Sequence, residues 1–170
     1  LGRRLRLAVI GGGPGSFIGA MPRAAARLDD RYELVAGVLS SDPERSRAAA
    51  ISIGITPERA YPDADALFAS ESQRQDGADV VAIMTPNDSH HRYALGALRA
   101  GFDVICDKPI TNTLAEAADV VAAVDGTGLV FCLTHNYTGY PMVRQARAMV
   151  AAGELGEVQL VQVEYVQGGK

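Results

Sequence analysis

The chain has 170 residues, 48% hydrophobic and 21% charged, with a net charge of -4. That length suits one domain, or one domain and the start of another, with ample apolar material for a core. The acidic balance offers no basic footprint for nucleic acid, and no apolar run approaches the roughly 20 residues that span a bilayer.

The opening, Leu1-Gly2-Arg3-Arg4-Leu5-Arg6, imitates a basic signal region, but glycines follow directly after Ile10, so no secretory signal is expected. A strand is predicted over 5–10, then a glycine-rich turn and a helix over 17–28. Pro22 falls inside that helix, where it removes a hydrogen bond, so a kink or a restart is expected. A second strand over 33–39 leads to a helix over 43–53, opened by Asp42-Pro43-Glu44: an N-cap acid with Pro at the first helical position. A short helix over 65–70 is followed by Glu71 to Gly77, read as an exposed loop. A third strand over 79–84 precedes a helix over 89–100, closed by Gly101. The fourth strand, over 103–106, precedes a helix over 114–124, closed by Gly126-Thr127-Gly128, and a fifth strand over 129–133.

Each strand is near-continuously apolar, as strands buried on both faces of a parallel sheet are. The alternation predicts an α/β fold, a doubly wound, Rossmann-like parallel sheet, over residues 1–153. Beyond the fifth strand, Met142–Ala151 reads as a helix closed by Gly153. Glu157–Val166 alternates in strand fashion, with Val161, Val163 and Tyr165 opposite Gln162 and Glu164. Residues 154–170 are therefore expected to open a second, α+β domain, leaving an edge strand available for pairing. The chain lacks an initiator Met and stops at Gly168-Gly169-Lys170, which reads as a piece of a longer protein. Cys106 and Cys132 lie in apolar runs and are expected to be reduced core residues of a cytoplasmic protein. His90, His91 and His135 lack metal-ligand spacing, and no metal is expected.

The first strand runs directly into Gly11-Gly12-Gly13-Pro14-Gly15-Ser16-Phe17-Ile18-Gly19. A glycine loop between a strand and a helix lets backbone approach a pyrophosphate, and the helix start supplies N–H groups. Gly11 and Gly13 fit the Gly-x-Gly-x-x-Gly pattern, with Ser16 at the third position and Gly15 beside it. Gly15, Phe17 and Ile18 complete the candidate cofactor turn. The second strand ends in Leu39-Ser40-Ser41, without the acid that usually binds a ribose 2′-hydroxyl. Ser40, Ser41 and Arg45 could instead accept a 2′-phosphate, so NAD and NADP both stay open; a solvated helix charge is the alternative for Arg45. The missing acid also counts against a flavin.

Further polar clusters follow the later strands. The third ends in Thr85-Pro86-Asn87-Asp88-Ser89-His90, where a helix-start His90 or His91 is by default solvent-facing. The fourth ends in Asp107-Lys108-Pro109, and the fifth in Thr134-His135-Asn136-Tyr137. In a parallel sheet all of these converge on one edge. Lys108 is, apart from the last residue Lys170, the only lysine among 16 Lys and Arg residues. An ammonium is a compact donor that can give up its proton, whereas guanidinium stays charged.

Together, Gly11-x-Gly13, Thr85-Pro86-Asn87-x-x-His90, Asp107-Lys108-Pro109 and His135-Asn136-Tyr137 resemble the glucose-fructose oxidoreductase / inositol dehydrogenase / rhizopine catabolism family over nearly the whole chain. The family pattern around the lysine is usually Glu-Lys-Pro; Asp107 is one methylene shorter. The resemblance implies the NAD(P)-binding domain of an oxidoreductase that moves hydride between nicotinamide and a sugar, cyclitol or related polyol. It implies that Lys108 is catalytic, binding the reacting oxygen and helping with proton transfer. Gly11, Gly13, Gly15, Ser16, Phe17, Ile18, Ser40, Ser41, Arg45, Thr85, Pro86, Asn87, His90, Asp107 and Lys108 would contact NAD or NADP, and Asn136 and Tyr137 would face substrate. In the family an Asp and a His from a second, antiparallel-sheet domain complete the site, and that domain would make the protein a homo-oligomer. The piece alone is then expected to be inactive. The competing reading is a non-catalytic dinucleotide-binding module with a redox-sensing or regulatory role.

Overall fold

A computed structural model describes residues 2–166 and 168. The described residues form two compact units that meet between Thr134 and His135.

The first unit runs β1 (Leu5–Gly11), α1 (Ala20–Leu28), β2 (Tyr32–Val38), α2 (Pro43–Ser52), α3 (Ala64–Glu71), β3 (Val80–Met84), α4 (His90–Arg99), β4 (Asp103–Cys106), α5 (Leu114–Thr127) and β5 (Phe131–Leu133). The strands make one parallel sheet in the order β2-β1-β3-β4-β5. This is the doubly wound α/β arrangement that the apolar runs predict. Successive residues of β1, β3 and β4 feed opposite cores. Ala8, Ile10, Val81, Ile83 and Val104 pack with Leu67 and Phe68 of α3, Ala97 and Leu98 of α4, and Val120 of α5. Leu7, Val9, Val80, Ala82 and Met84 pack on the other face with Ala50 of α2 and the half-buried Ala26 of α1. A strand covered on both faces has no polar side, hence the near-continuous apolar sequence.

The edge strand departs from that rule. Phe131 and Leu133 of β5 are half-buried, but Cys132 is exposed, so only Cys106 is a core thiol. Burial, reinforced by the Asp107 carboxylate, pushes the Cys106 thiol up to about 12. Helix α1 starts at Ala20, not at residue 17. Pro22 therefore sits in the first turn, where backbone N–H groups lack helical partners, and no kink is required. Helix α2 opens as predicted, with the Asp42 carboxylate accepting the Arg45 backbone N–H at 2.8 Å. Helix α5 carries a reciprocal cap between Thr113 and Glu116 and closes on Gly128, whose φ is +68°.

Glu71 is not the start of an exposed loop. It is the last residue of α3 and only 1% exposed. Its carboxylate accepts from Arg59 (Nε 3.0 Å, Nη2 2.5 Å), the Tyr61 hydroxyl (2.8 Å) and the Ala78 N–H (2.9 Å). Burial, and then the bond to Glu71 and its charge, raise the Tyr61 phenol above its ordinary value. Only Ser72–Asp76 of that polar stretch is exposed. Next to Ala78, just before β3, Asp79 accepts a bidentate pair from Arg3 (2.6 and 2.8 Å) and the Arg6 backbone N–H (2.7 Å).

The second unit contains a short 3-10 turn, Asn136–Gly139, and α6 (Pro141–Ala151) with Pro at its first position. The Tyr137 ring meets Tyr140 and Tyr165 edge-on, at centroid distances of 5.4 and 6.3 Å. The expected strand over 157–166 is not formed: none of these residues joins a ladder, and each is exposed. Alternating apolar residues need a partner edge before they become a strand. Among the described residues no helix is long and apolar enough to cross a membrane.

Two stability predictions follow from these contacts. Glu71→Ala leaves Arg59 buried without its carboxylate and should cost roughly 3–5 kcal/mol in chemical denaturation. Asp79 is held below the usual carboxylate range, chiefly by its hydrogen bond to Arg3, against the opposing effect of partial burial. Its stabilisation is present above the ordinary carboxylate value of about 4 and is lost as pH falls through the lower folded value. Asp79→Asn should therefore melt below the parent at pH 7, and the gap should close under strong acid.

Candidate cofactor site

Strand β1 ends between its neighbours, and its last residue must turn sharply past them. Gly11 has φ +82°, and a Cβ there would lie 2.5 Å from the Met84 carbonyl oxygen of β3. At Gly13 a Cβ would collide with the Leu39 carbonyl oxygen just past β2. These glycines let the loop press against both neighbouring strand ends. Ser16 then fixes the loop's exit: its N–H donates to Gly13 O (3.0 Å) and its hydroxyl accepts the Gly19 N–H (3.2 Å). The Arg23 guanidinium, on α1, donates to the Gly12 carbonyl.

Above the carboxyl ends of β1, β2 and β3 lies a cleft of about 540 Å³. The glycine loop lines it with Gly11, Gly12, Gly13, Pro14 and Ser16. The end of β2 contributes Leu39, Ser40 and Ser41, and the end of β3 contributes Met84, Thr85 and Pro86. Of the predicted cofactor residues, the cleft thus gathers Gly11, Gly13, Ser16, Ser40, Ser41, Thr85 and Pro86. Gly15, Phe17, Ile18, Arg45, Asn87, His90, Asp107 and Lys108 do not line it. Phe17 is 91% exposed, and Ile18 packs against the core beneath.

Two parts of the wall were not read from sequence. One is Pro62-Asp63-Ala64, and the other is Arg92 and Tyr93 of α4, beside Asp88 and Ser89 of the polar cluster after β3. The first is placed by backbone: Tyr61 N–H donates to Gly37 O (3.0 Å), and Ala60 makes a single parallel bridge with Gly37. The buried Ser46 hydroxyl ties the same stretch to β2, donating to Tyr61 O (3.2 Å) and accepting the Leu39 N–H (3.0 Å). A serine in the charged first half of α2 was the only sequence signal. Arg92 reaches Asp65 of α3 at 3.5 Å across the rim.

The β4 turn lies one strand beyond the cleft wall. Asp107 N–H donates to Ile83 O (3.0 Å), continuing the ladder. The Asp107 Oδ1 accepts both the Lys108 N–H (2.8 Å) and the Thr134 hydroxyl (2.8 Å). The Lys108 side chain is exposed at this edge. His90 is not solvent-facing. It is 0% exposed, with Nδ1 2.7 Å from Pro109 O and Nε2 2.9 Å from Thr85 O. Both ring nitrogens are engaged with backbone, so the ring shapes the turns and does not face the cleft. Asn136 and Tyr137 belong to the second unit, where the Tyr137 hydroxyl lies 3.2 Å from that of Tyr165.

This geometry has close counterparts. A family profile described as an oxidoreductase family with an NAD-binding Rossmann fold matches residues 5–135. The chain is 37% identical over 169 residues to an uncharacterised oxidoreductase, YfiI, of Bacillus subtilis (strain 168), covering 99% of the chain and 43% of that protein. It is 34% identical over 154 residues to D-apiose dehydrogenase of Paraburkholderia graminis, covering 91% of the chain and 38% of that enzyme. Among solved structures, an inositol dehydrogenase homolog of Azotobacter vinelandii, complexed with NADH and myo-inositol, superposes with a TM-score of 0.87 at 41% identity. That match covers 91% of this chain and 41% of the other. The chain thus spans less than half the length of these relatives. With the cleft at the switch point, the glycine turn and the extent of these matches, the chain belongs to the glucose-fructose oxidoreductase / inositol dehydrogenase / rhizopine catabolism family of oxidoreductases and contains its NAD-binding Rossmann domain.

Proposed function

We propose that the chain is the cofactor-binding part of an NAD(P)-dependent dehydrogenase acting on a sugar, cyclitol or related polyol, with residues 154–170 opening its second domain. The placement of Lys108 carries this reading. It follows β4 on the same sheet edge as the glycine cleft, and β4 pairs directly with β3, whose end forms the cleft wall. The cleft's own groups fit a dinucleotide. Backbone bare of side chains at Gly11 and Gly13 suits a pyrophosphate, and the hydroxyls of Ser16, Ser40, Ser41 and Thr85 suit ribose and phosphate oxygens.

When bound, the dinucleotide supplies or accepts hydride at its nicotinamide ring. Lys108 binds the oxygen of the reacting carbinol and gives or takes its proton, a task closed to a permanently charged guanidinium. Asp107 holds the turn from which Lys108 projects, through Oδ1, and its carboxylate would help hold the nicotinamide ribose. Asn136 and Tyr137 face the substrate. The polyol class draws support from relatives named for D-apiose, levoglucosan and scyllo-inositol dehydrogenation.

Fluorescence titration should show that the chain binds both NADH and NADPH, because residues 40 and 41 present hydroxyls and no acid. Ser41→Asp should weaken NADPH by about tenfold or more, roughly 1.4 kcal/mol, and leave NADH nearly unchanged. Absence of binding by either nucleotide would refute the cleft assignment. In the full-length protein, Lys108→Ala should lower turnover by roughly 10²–10⁴-fold, with cofactor affinity changed far less. Turnover close to that of the parent would rule out the role given to Lys108.

A further inference from the structure

We infer that His90 is a positioning residue for Lys108, an inference that rests on the catalytic reading of Lys108 above. A histidine opening a helix ordinarily faces water, yet this ring is 0% exposed. It spans two turns that belong to different strands. Nε2 lies 2.9 Å from the carbonyl of Thr85, one residue past β3, and Nδ1 lies 2.7 Å from the carbonyl of Pro109, one residue past Lys108. A carbonyl oxygen only accepts, so a neutral ring donates to one of the two carbonyls and packs its other nitrogen against the second, and only a ring protonated on both nitrogens donates to both.

The brace complements the one at Asp107. On the amino side of Lys108, Asp107 is fixed by its N–H on Ile83 O and by its carboxylate on the Thr134 hydroxyl and the Lys108 N–H. On the carboxyl side, Pro109 has no N–H with which to anchor itself, and its carbonyl is held by His90. With both flanking residues fixed, the ammonium moves only through the torsions of its own side chain. The Thr85 contact links that position to the cleft wall, since Thr85 lines it. Lys108 and the cofactor cleft are therefore set against one another by one buried ring. A misplacement of about 1 Å, made away from the reacting atoms, can cost on the order of 10²-fold in rate.

The test is a double-mutant cycle in the full-length protein, using His90→Leu, Lys108→Ala and the pair. Steady-state turnover, cofactor affinity and melting temperature are read for each. His90→Leu should lower kcat by about 10–100-fold while cofactor affinity changes by less than about threefold. In the Lys108→Ala background the same substitution should change kcat by less than about twofold, because the group it positions is gone. An equal fold-loss in both backgrounds would mark His90 as merely structural and overturn the inference. Full turnover in His90→Leu would overturn it too, leaving the Lys108 role intact. Full turnover in Lys108→Ala would sink both readings. If His90→Leu does not fold, His90→Phe, which fills the buried space with a ring but has no N–H donor, takes its place in the cycle. Protein labelled with ¹⁵N-histidine gives an independent readout: a slowly exchanging ring proton is expected, and a freely exchanging ring would contradict the brace.

Discussion

The site depends on one constraint of the sheet. β1 pairs with β2 on one side and β3 on the other, all parallel, so the chain leaving β1 emerges between two strand ends. The helices that follow these strands go to opposite faces: α1 and α2 join the core with Leu7 and Val9, whereas α3, α4 and α5 join the core with Ala8 and Ile10. That divergence opens the crevice above β1. It also crowds the first turn, because the Met84 and Leu39 carbonyls press on Gly11 and Gly13. The glycine motif is therefore a packing requirement as much as a binding one. A side chain at residue 13 would meet protein backbone before it met any ligand.

This explains why the fold was legible in the sequence. Strand burial on two faces writes itself as unbroken apolar runs, and helix ends write themselves as Asp42-Pro43 or Gly128. Those signals are local. What escaped was set by distant polar pairs. Glu71 looks like the head of a polar loop because Arg59, Tyr61 and Ala78 are separate from it in sequence, and only folding brings them to one carboxylate. His90 looks like a surface residue because its partners are backbone carbonyls, which leave no trace in residue type. Pro62–Ala64 reaches the cleft through backbone bonds to β2, again invisible to composition. The predicted strand at 157–166 failed in the opposite direction: its alternation is local and real, but a ladder also needs a partner.

The two halves of the sheet edge are held by different means. The cleft over β1 and β2 is walled largely by backbone and short side chains, fixed by the ladder and by glycine contacts. The turn carrying Lys108 is held by side chains: Asp107, Thr134 and His90. Substitutions around the cleft should therefore act through loop geometry, whereas those around Lys108 act through identifiable hydrogen bonds.

The use of basic residues follows the same division. Arg3 on Asp79, Arg59 on Glu71 and Arg74 on Asp76 each engage both oxygens of a carboxylate. A planar, permanently charged fork is well suited to such fixed pairs. None of those places asks the cation to lose its proton. Residue 108 stands at the end of β4, at the edge of the sheet where the cofactor cleft opens. In the proposed reaction a group able to exchange a proton has a use there that an arginine cannot fill. The one lysine inside an arginine-rich chain thus stands where the chemistry proposed for this fold differs from the work of holding it together.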